Sequence, residues 1–328
     1  GKSIMHMAFD QRTGNLLAAA LDFWFGARVY QSANFGRTWD EPVTGPKFAE
    51  SSGQKLEKVW EVVPGRPEEP GVIYAGCEPA SLFKSSDGGV TWQHIESLNE
   101  HPTAKTWMPS AGGLCLHSVT LDPIDLNRMY VAISAGGLYA TTDGGQTWEP
   151  RNKGVRADFF GEEPPYYPET GQCVHRAGLH PAIPNRLYQQ NHCGVYRSDD
   201  AGLNWTEVTE GLPAEWGLAM AIHAHDPECF YVAPATSQML HYPEGGRFAV
   251  YRTRDAGGIW ERLDKGLPES GAFVNVLREG LAVDGEDPCG VYVGTNTGQL
   301  WTSANEGDTW QAAQALFPPI SSVTAFSA

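Results

Sequence analysis

The sequence predicts an all-β fold, a β-propeller of four-stranded antiparallel blades, and three observations carry that prediction. An octapeptide of the general form S/T-x-D/N-x-G-x-T-W recurs, closely or loosely, six times along 328 residues. Its tryptophans fall at Trp39, Trp92, Trp148, Trp205, Trp260 and Trp310, giving spacings of 53, 56, 57, 55 and 50 residues. Between the copies lie short apolar runs bounded by Gly, Pro, Asn and Asp, and a period near 50 with several strands per unit is what stacked blades require.

The octapeptide is a hairpin device. An Asp or Asn in a turn accepts bonds from backbone N–H groups a few residues on, and the Gly two places later tolerates the positive φ such a turn needs. The Thr and Trp then re-enter a strand, where an indole covers apolar area between neighbouring sheets. The copies at 85–92 and 141–148 are nearly identical, those at 198–205 and 253–260 keep the skeleton, and those at 32–39 and 303–310 are worn. A feature present in every unit is better explained by folding than by one active site.

The elements follow in chain order. The third unit reads as strand A at 117–121, B at 128–133, C at 137–141, the octapeptide, and D at 147–149, with Asp122-Pro123 as the A–B turn signal. The first runs from 3 to about 41, with A at 4–9 and B at 15–20. The second uses 59–63, 71–75 and 81–84; the fourth repeats the third at 176–181 and 186–188. The fifth uses 218–224 and 229–233 with C delayed to 248–252, and the sixth uses 280–283, 291–294 and 299–302. A last strand, 320–326, matches strand A but has no B, C or D after it. Six complete blades plus a closing strand therefore point to a seven-bladed parent ring whose missing strands lay upstream of Gly1, in a single domain covering 1–328.

Composition narrows the partners. The chain carries 23 Lys and Arg against 39 Asp and Glu, a net charge of −16, with no basic run. Nucleic acid and anionic membrane surfaces are disfavoured. No apolar stretch reaches the length of a membrane-spanning helix. Cys77, Cys115, Cys173, Cys193, Cys229 and Cys289 are too sparse for a disulfide scaffold, and free thiols lean the reading toward a cytoplasmic protein.

Strand order gives a geography for chemistry. With A innermost, the A–B turns and the octapeptides share one face, while the D–A and B–C connections share the other. The long connections, 42–58, 98–116, 151–174 and 234–247, are all of the second kind, and long loops on a rigid scaffold are where binding concentrates. Counting back 13 residues from the strand-B tyrosines Tyr130, Tyr188, Tyr74 and Tyr292 reaches His117, His175, Glu61 and Glu279. These four are expected to converge on the central channel as candidate catalytic residues, His and Glu being able to do acid–base work or to hold a metal. The competing reading is that they merely hydrate a tunnel. Cys115-x-His117 and Cys173-x-His175 repeat a pair that places both side chains on one strand face, and zinc favours such ligands, but neither pair is assigned to a metal and no cofactor is expected. Asp22 and Trp24, Glu78, His192, Tyr166 and Tyr167 are the candidate substrate-binding residues, since aromatic rings cover the apolar face of a sugar and paired acids hydrolyse it.

The octapeptides resemble the Asp box, or BNR repeat, of the sialidase-like propellers, which include xyloglucanases, photosystem II assembly factors and the sortilin propeller. The resemblance spans essentially the whole chain and implies the fold more than an activity. Sialidases use an arginine triad, a Tyr–Glu pair and an Asp acid, with an F/Y-R-I-P motif carrying the first arginine. That motif does not occur here, and nothing places Arg28, Arg176, Arg247 or Arg278 in a triad. Xyloglucanases carry two propellers around a cleft, whereas 328 residues hold one. The nearest general likeness is to single-propeller bacterial BNR-repeat proteins of glycosyl hydrolase type, for which no catalytic residue carries over. The resulting expectation is a carbohydrate-active propeller, with glycoside hydrolysis as its candidate activity and a glycan or other small ligand on the loop face. The alternatives are a peptide-binding scaffold of the assembly-factor or sortilin type, and a metal-dependent enzyme in which His117 and His175 share a divalent ion with a Glu.

Overall fold

A computed structural model describes residues 2–42, 44–110, 112–315 and 317–326. The chain divides into two compact units, residues 1–150 and 151–328. Each is a run of three antiparallel meander sheets paired in chain order, the blades of a β-propeller.

In the first unit, blade 1 consists of Lys2–Asp10, Asn15–Asp22 and Gly26–Ser32. Its expected fourth strand is reduced to a single bridge between Gln31 and Asp40, so this sheet has three strands rather than four. Blade 2 (Lys58–Pro64, Ile73–Glu78, Ser81–Ser85, Gln93–His94) and blade 3 (Leu116–Leu121, Met129–Ile133, Gly137–Thr141, Glu149–Pro150) have all four. The second unit holds blade 4 (Val174–Leu179, Leu187–Asn191, Gly194–Ser198, Thr206–Glu207) and blade 5 (Gly217–Ile222, Phe230–Pro234, Val250–Thr253, Glu261–Leu263). Blade 6 follows (Leu281–Val283, Val291–Gly294, Leu300–Ser303, Gln311–Ala312). Residues 320–326 form no strand of their own. They lie beside the start of blade 6 through a parallel bridge between Glu279 and Ser322, with Val323 N–H donating to Glu279 O at 2.7 Å and Ile320 N–H to Thr295 O at 3.0 Å.

Within each unit the apolar core sits between consecutive blades, where facing sheets cover one another. Leu17, Val29, Phe48, Val62, Ile73 and Phe83 fill the space between blades 1 and 2; Tyr74, Leu82, Leu116, Val131, Tyr139 and Trp148 do so between blades 2 and 3. Blades 5 and 6 bury Tyr231, Phe248, Val250, Val291, Trp301 and Trp310 together.

Each box works as its chemistry predicts. In blade 3, Asp143 Oδ1 accepts from Thr147 N–H at 2.9 Å and from the Thr141 hydroxyl at 2.7 Å, and Oδ2 accepts from the Thr147 hydroxyl at 2.6 Å. Gly144 and Gly145 both have positive φ, 74° and 93°. The first of these positions is Ala201, Ala256, Phe35 or Glu306 in other copies, at φ between 56° and 62°. The box bonds thus hold even side-chain-bearing residues in a region they seldom adopt. The boxes of blades 2 to 6 also dock on the A–B turn of their own blade: Gly88 N–H donates to Gly71 O, Gly144 to Asn127 O, Ala201 to Asn185 O, Ala256 to Glu228 O and Glu306 to Cys289 O, all at 2.8–3.0 Å. Boxes and A–B turns therefore share one end of the strands, as strand order predicts. The box indole reaches back to the preceding blade's exit segment, Trp148 Nε1 donating to Ser97 Oγ and Trp205 Nε1 to Arg151 O.

At this end, side chains also join neighbouring turns. Arg12, held by Asp10 at 2.8 Å, donates to Val72 O. The buried Arg66 donates to Asp122 O and Arg128 O, and in the second unit His180 Nε2 donates to Ala224 O.

Two outcomes follow. Trp148→Ala, which empties a buried site, lowers unfolding stability by about 3–5 kcal/mol, as denaturant titration will register. Hydrogen bonds from the Thr91 and Thr147 hydroxyls and amides lower the Asp87 and Asp143 carboxyls to about 2. A carboxyl depressed in the folded state contributes stability present above its unfolded value of about 3.9 and lost as pH falls toward the folded value. Melting temperature will therefore drop between pH 4 and 2, and the drop will be smaller in the Asp87→Asn/Asp143→Asn variant, which copies the natural boxes at Asn34 and Asn305 and no longer titrates there.

Candidate functional site

The candidate residues occupy the end of the strands away from the boxes. The sequence count that aligned Glu61 with His117, His175 and Glu279 needs correction. Strand pairing sets Tyr74, Tyr130, Tyr188 and Tyr292 opposite Val63, Thr120, Gly178 and Ala282. The A–B turn of blade 2 is one residue longer, so Glu61 is in register with Ser118, Arg176 and Gly280, and it is Trp60 that matches His117, His175 and Glu279. A β-bulge causes the offset geometry: pairing skips from Val59 to Glu61, from Leu116 to Ser118 and from Val174 to Arg176, leaving Trp60, His117 and His175 as the extra residues. Bulges re-aim a side chain, and here the same bulge recurs blade after blade.

In the first unit, Glu61 is only 3% exposed, and its Oε2 accepts the backbone N–H of Val119 on the next blade. His6 occupies the same register in blade 1 and does the same work, its Nδ1 accepting Val62 N–H at 3.2 Å. Both side chains thus satisfy an N–H on the edge of a neighbouring innermost strand, a group that is costly to bury unpaired. His117 is buried, its Nδ1 3.1 Å from Ser118 Oγ. Glu78, ending strand B of blade 2, accepts from Lys58 Nζ and Trp60 Nε1, each at 2.9 Å.

Asp22 is buried, and its Oδ1 accepts Trp24 N–H at 2.8 Å and Phe25 N–H at 3.0 Å; these two bonds, foremost that from Phe25, hold its carboxyl below the usual range. Its role is to shape the B–C tip above it. On that tip Phe23, Trp24 and Phe25 are 77, 82 and 65% exposed, with Phe23 and Trp24 edge to face at 5.1 Å.

In the second unit, Glu279 is ion-paired with Arg176. His175 is buried and donates from Nδ1 to Gly217 O at 2.5 Å, while its Nε2 lies 3.5 Å from Cys173 Sγ. Burial first, and the charge of Arg278 second, push the His175 imidazole well below its usual value, so it is neutral. His192, at the B–C tip of the same blade, is half-buried, with its ring 5.6 Å from that of His175 and 4.7 Å from Phe159. Burial also lowers its pKa. Tyr166 and Tyr167 are exposed on the 151–174 connection, where Tyr166 N–H donates to Asp158 Oδ1.

Sequence reading missed the residues that organise this connection. Arg156 binds Asp158, Glu207 and Glu215 at 2.7–2.9 Å and donates to Cys193 O, tying the loop to blade 4. Trp216 sits edge-on to His175 and stacks on His241 at 4.6 Å. The one readable signal was Gln189-Gln190-Asn191, three amides in a strand that is otherwise core, all buried.

Replacing Glu61 by Ala strips Val119 N–H of this acceptor and is expected to cost about 1–3 kcal/mol. Glu61→Gln keeps an amide oxygen there and is expected to stay within about 1 kcal/mol of the parent. Chemical denaturation of both variants checks this, and equal losses would contradict the structural role.

Comparison with known proteins accords with the fold. The model of the BNR/Asp-box repeat matches residues 139–150, strand C and box of blade 3. The xyloglucanase Xgh74A of Acetivibrio thermocellus is 24% identical over 285 residues, 74% of this chain and 31% of that protein. The chain thus spans about a third of the length of the curated relatives it matches first. Among solved structures, an ancestral GH74 enzyme superposes with a TM-score of 0.66 at 18% identity, covering 95% of this chain and 38% of that one. YCF48 bound to a D1 peptide superposes with a TM-score of 0.57 at 14% identity, covering 95% and 82%. With its repeated box geometry and blade topology, this chain carries Asp-box repeats on a β-propeller fold.

Proposed function

We propose that the chain is a carbohydrate-active propeller that recognises a xyloglucan-type polysaccharide, with the aromatic tip of blade 1 as a principal contact. The observation carrying this reading is Trp24, an indole 82% exposed on a tip that Asp22 holds from beneath. An exposed, flat, rigid ring is what stacking on a pyranose needs, and leaving it in water has no folding rationale. The similarity to a xyloglucanase over three quarters of the chain supplies the ligand class.

Recognition is favoured over hydrolysis by the state of the acids. Glu61, Glu78, Asp22 and Glu279 each hold a backbone N–H or a cation, whereas a glycosidase needs one carboxyl free to give up a proton and another free to attack or to activate water. A second reading, a peptide-binding scaffold, is favoured by the likeness to YCF48 in a peptide complex, a chain mostly covered by this one.

Affinity electrophoresis in gels containing xyloglucan tests the first reading. Retardation is expected for the parent protein, with at least a tenfold weaker effect for Trp24→Ala at unchanged melting temperature, because an exposed side chain contributes little to folding. Absence of retardation sinks the glycan reading; retention of a peptide partner that Trp24→Ala fails to hold supports the second.

A further inference from the structure

Blade 4 brings together three side chains that the sequence places 19 residues apart at most, Cys173, His175 and His192. One ligand atom from each lies within 4.8 Å of the others. We propose that these three residues form a site for a thiolate- and imidazole-seeking transition metal ion, Zn²⁺ in the first instance, with a fourth position left to a non-protein ligand.

The geometry argues it in three steps. First, tetrahedral zinc with Zn–S of about 2.3 Å and Zn–N of about 2.0 Å sets the two ligand atoms about 3.5 Å apart. Cys173 Sγ and His175 Nε2 are separated by 3.5 Å. Second, His175 donates its Nδ1 proton to Gly217 O, which leaves the lone pair on Nε2, the atom facing the sulfur. A backbone carbonyl that orients the remote nitrogen is the usual support of a metal-bound histidine. Third, the backbone brings His192 to the pair: its N–H donates to Cys173 O at 3.0 Å, pinning the B–C tip to the start of strand A.

A simple thiol–imidazole hydrogen bond explains the first distance but not the third ligand. Blade 3 is the internal comparison. It repeats Cys115 and His117, and the same backbone bond runs from Ser134 N–H to Cys115 O at 2.9 Å. Serine stands there in place of His192, and among the described residues no cluster of potential ligands includes Cys115 or His117. Beside the blade 4 cluster, the buried Trp216 Nε1 has no hydrogen-bond partner among the described residues, a donor available to a ligand in the fourth position. Three protein ligands with one open position describe a catalytic rather than a closed structural zinc site.

Titration of the metal-free full chain with Co²⁺, followed by absorption, tests the proposal. The expected result is one equivalent bound with a thiolate-to-cobalt charge-transfer band, displaced by Zn²⁺, and one zinc per chain by elemental analysis after zinc loading. Cys173→Ser should abolish the charge-transfer band, and His192→Gln, at a half-buried position, should weaken binding at least tenfold with unchanged circular dichroism. Cys115→Ser should bind as the parent does. Failure of the parent chain to take up Co²⁺ with a charge-transfer band overturns the proposal, as does full binding by Cys173→Ser or equal loss in Cys115→Ser.

Discussion

The structure depends first on the carboxylate or amide oxygen at the third position of each box. By accepting the N–H four residues on and the hydroxyl two residues before, it holds two successive residues in the left-handed region, including Ala201, Ala256 and Phe35, which carry the steric cost of a side chain there. That turn then presents an N–H to the A–B turn of the same blade and releases the chain so that its Trp faces the preceding blade. Strand register, turn docking and interblade packing thus share one small hydrogen-bonded ring. Because Asn34 and Asn305 accept the same backbone N–H four residues on as the aspartates do, an uncharged oxygen suffices for that bond.

The second constraint is the exposed edge of each innermost strand. An unpaired edge invites wrong pairing and leaves N–H groups to be satisfied. Here neighbouring blades supply side chains for the purpose: His6 for Val62, Glu61 for Val119, with Arg12, Arg66 and His180 fastening the turns at the other end. Residue types that suggest catalysis in a sequence are therefore largely part of the joinery. By contrast, the Phe23-Trp24-Phe25 tip of blade 1 is presented to solvent.

Much of the fold was legible. Strand positions in blades 2 to 6 agree with the sequence reading to within three residues at each end, because the repeat lets a clear unit such as 117–149 calibrate a blurred one such as 280–302. The absent fourth strand of blade 1 was not legible, since its worn box at 32–39 looks like the others and only pairing energy decides whether the chain after it forms a ladder. Among the candidate positions, the register of Glu61 was misread. A count of 13 from each tyrosine missed the extra residue in the A–B turn of blade 2, and side-chain period in a strand turns a one-residue error into a change of face.

The sequence by itself determined the period, the strand–turn alternation, the location of the boxes and the excess of negative charge, because these are local or compositional properties. Only the tertiary structure decided which polar residues are occupied. That Glu61 caps Val119, 58 residues away, or that His192 meets Cys173 and His175 whereas blade 3 has Ser134 at the matching position, follows from strand pairing and a recurrent bulge. Such contacts join positions far apart in the chain, and no local propensity encodes them.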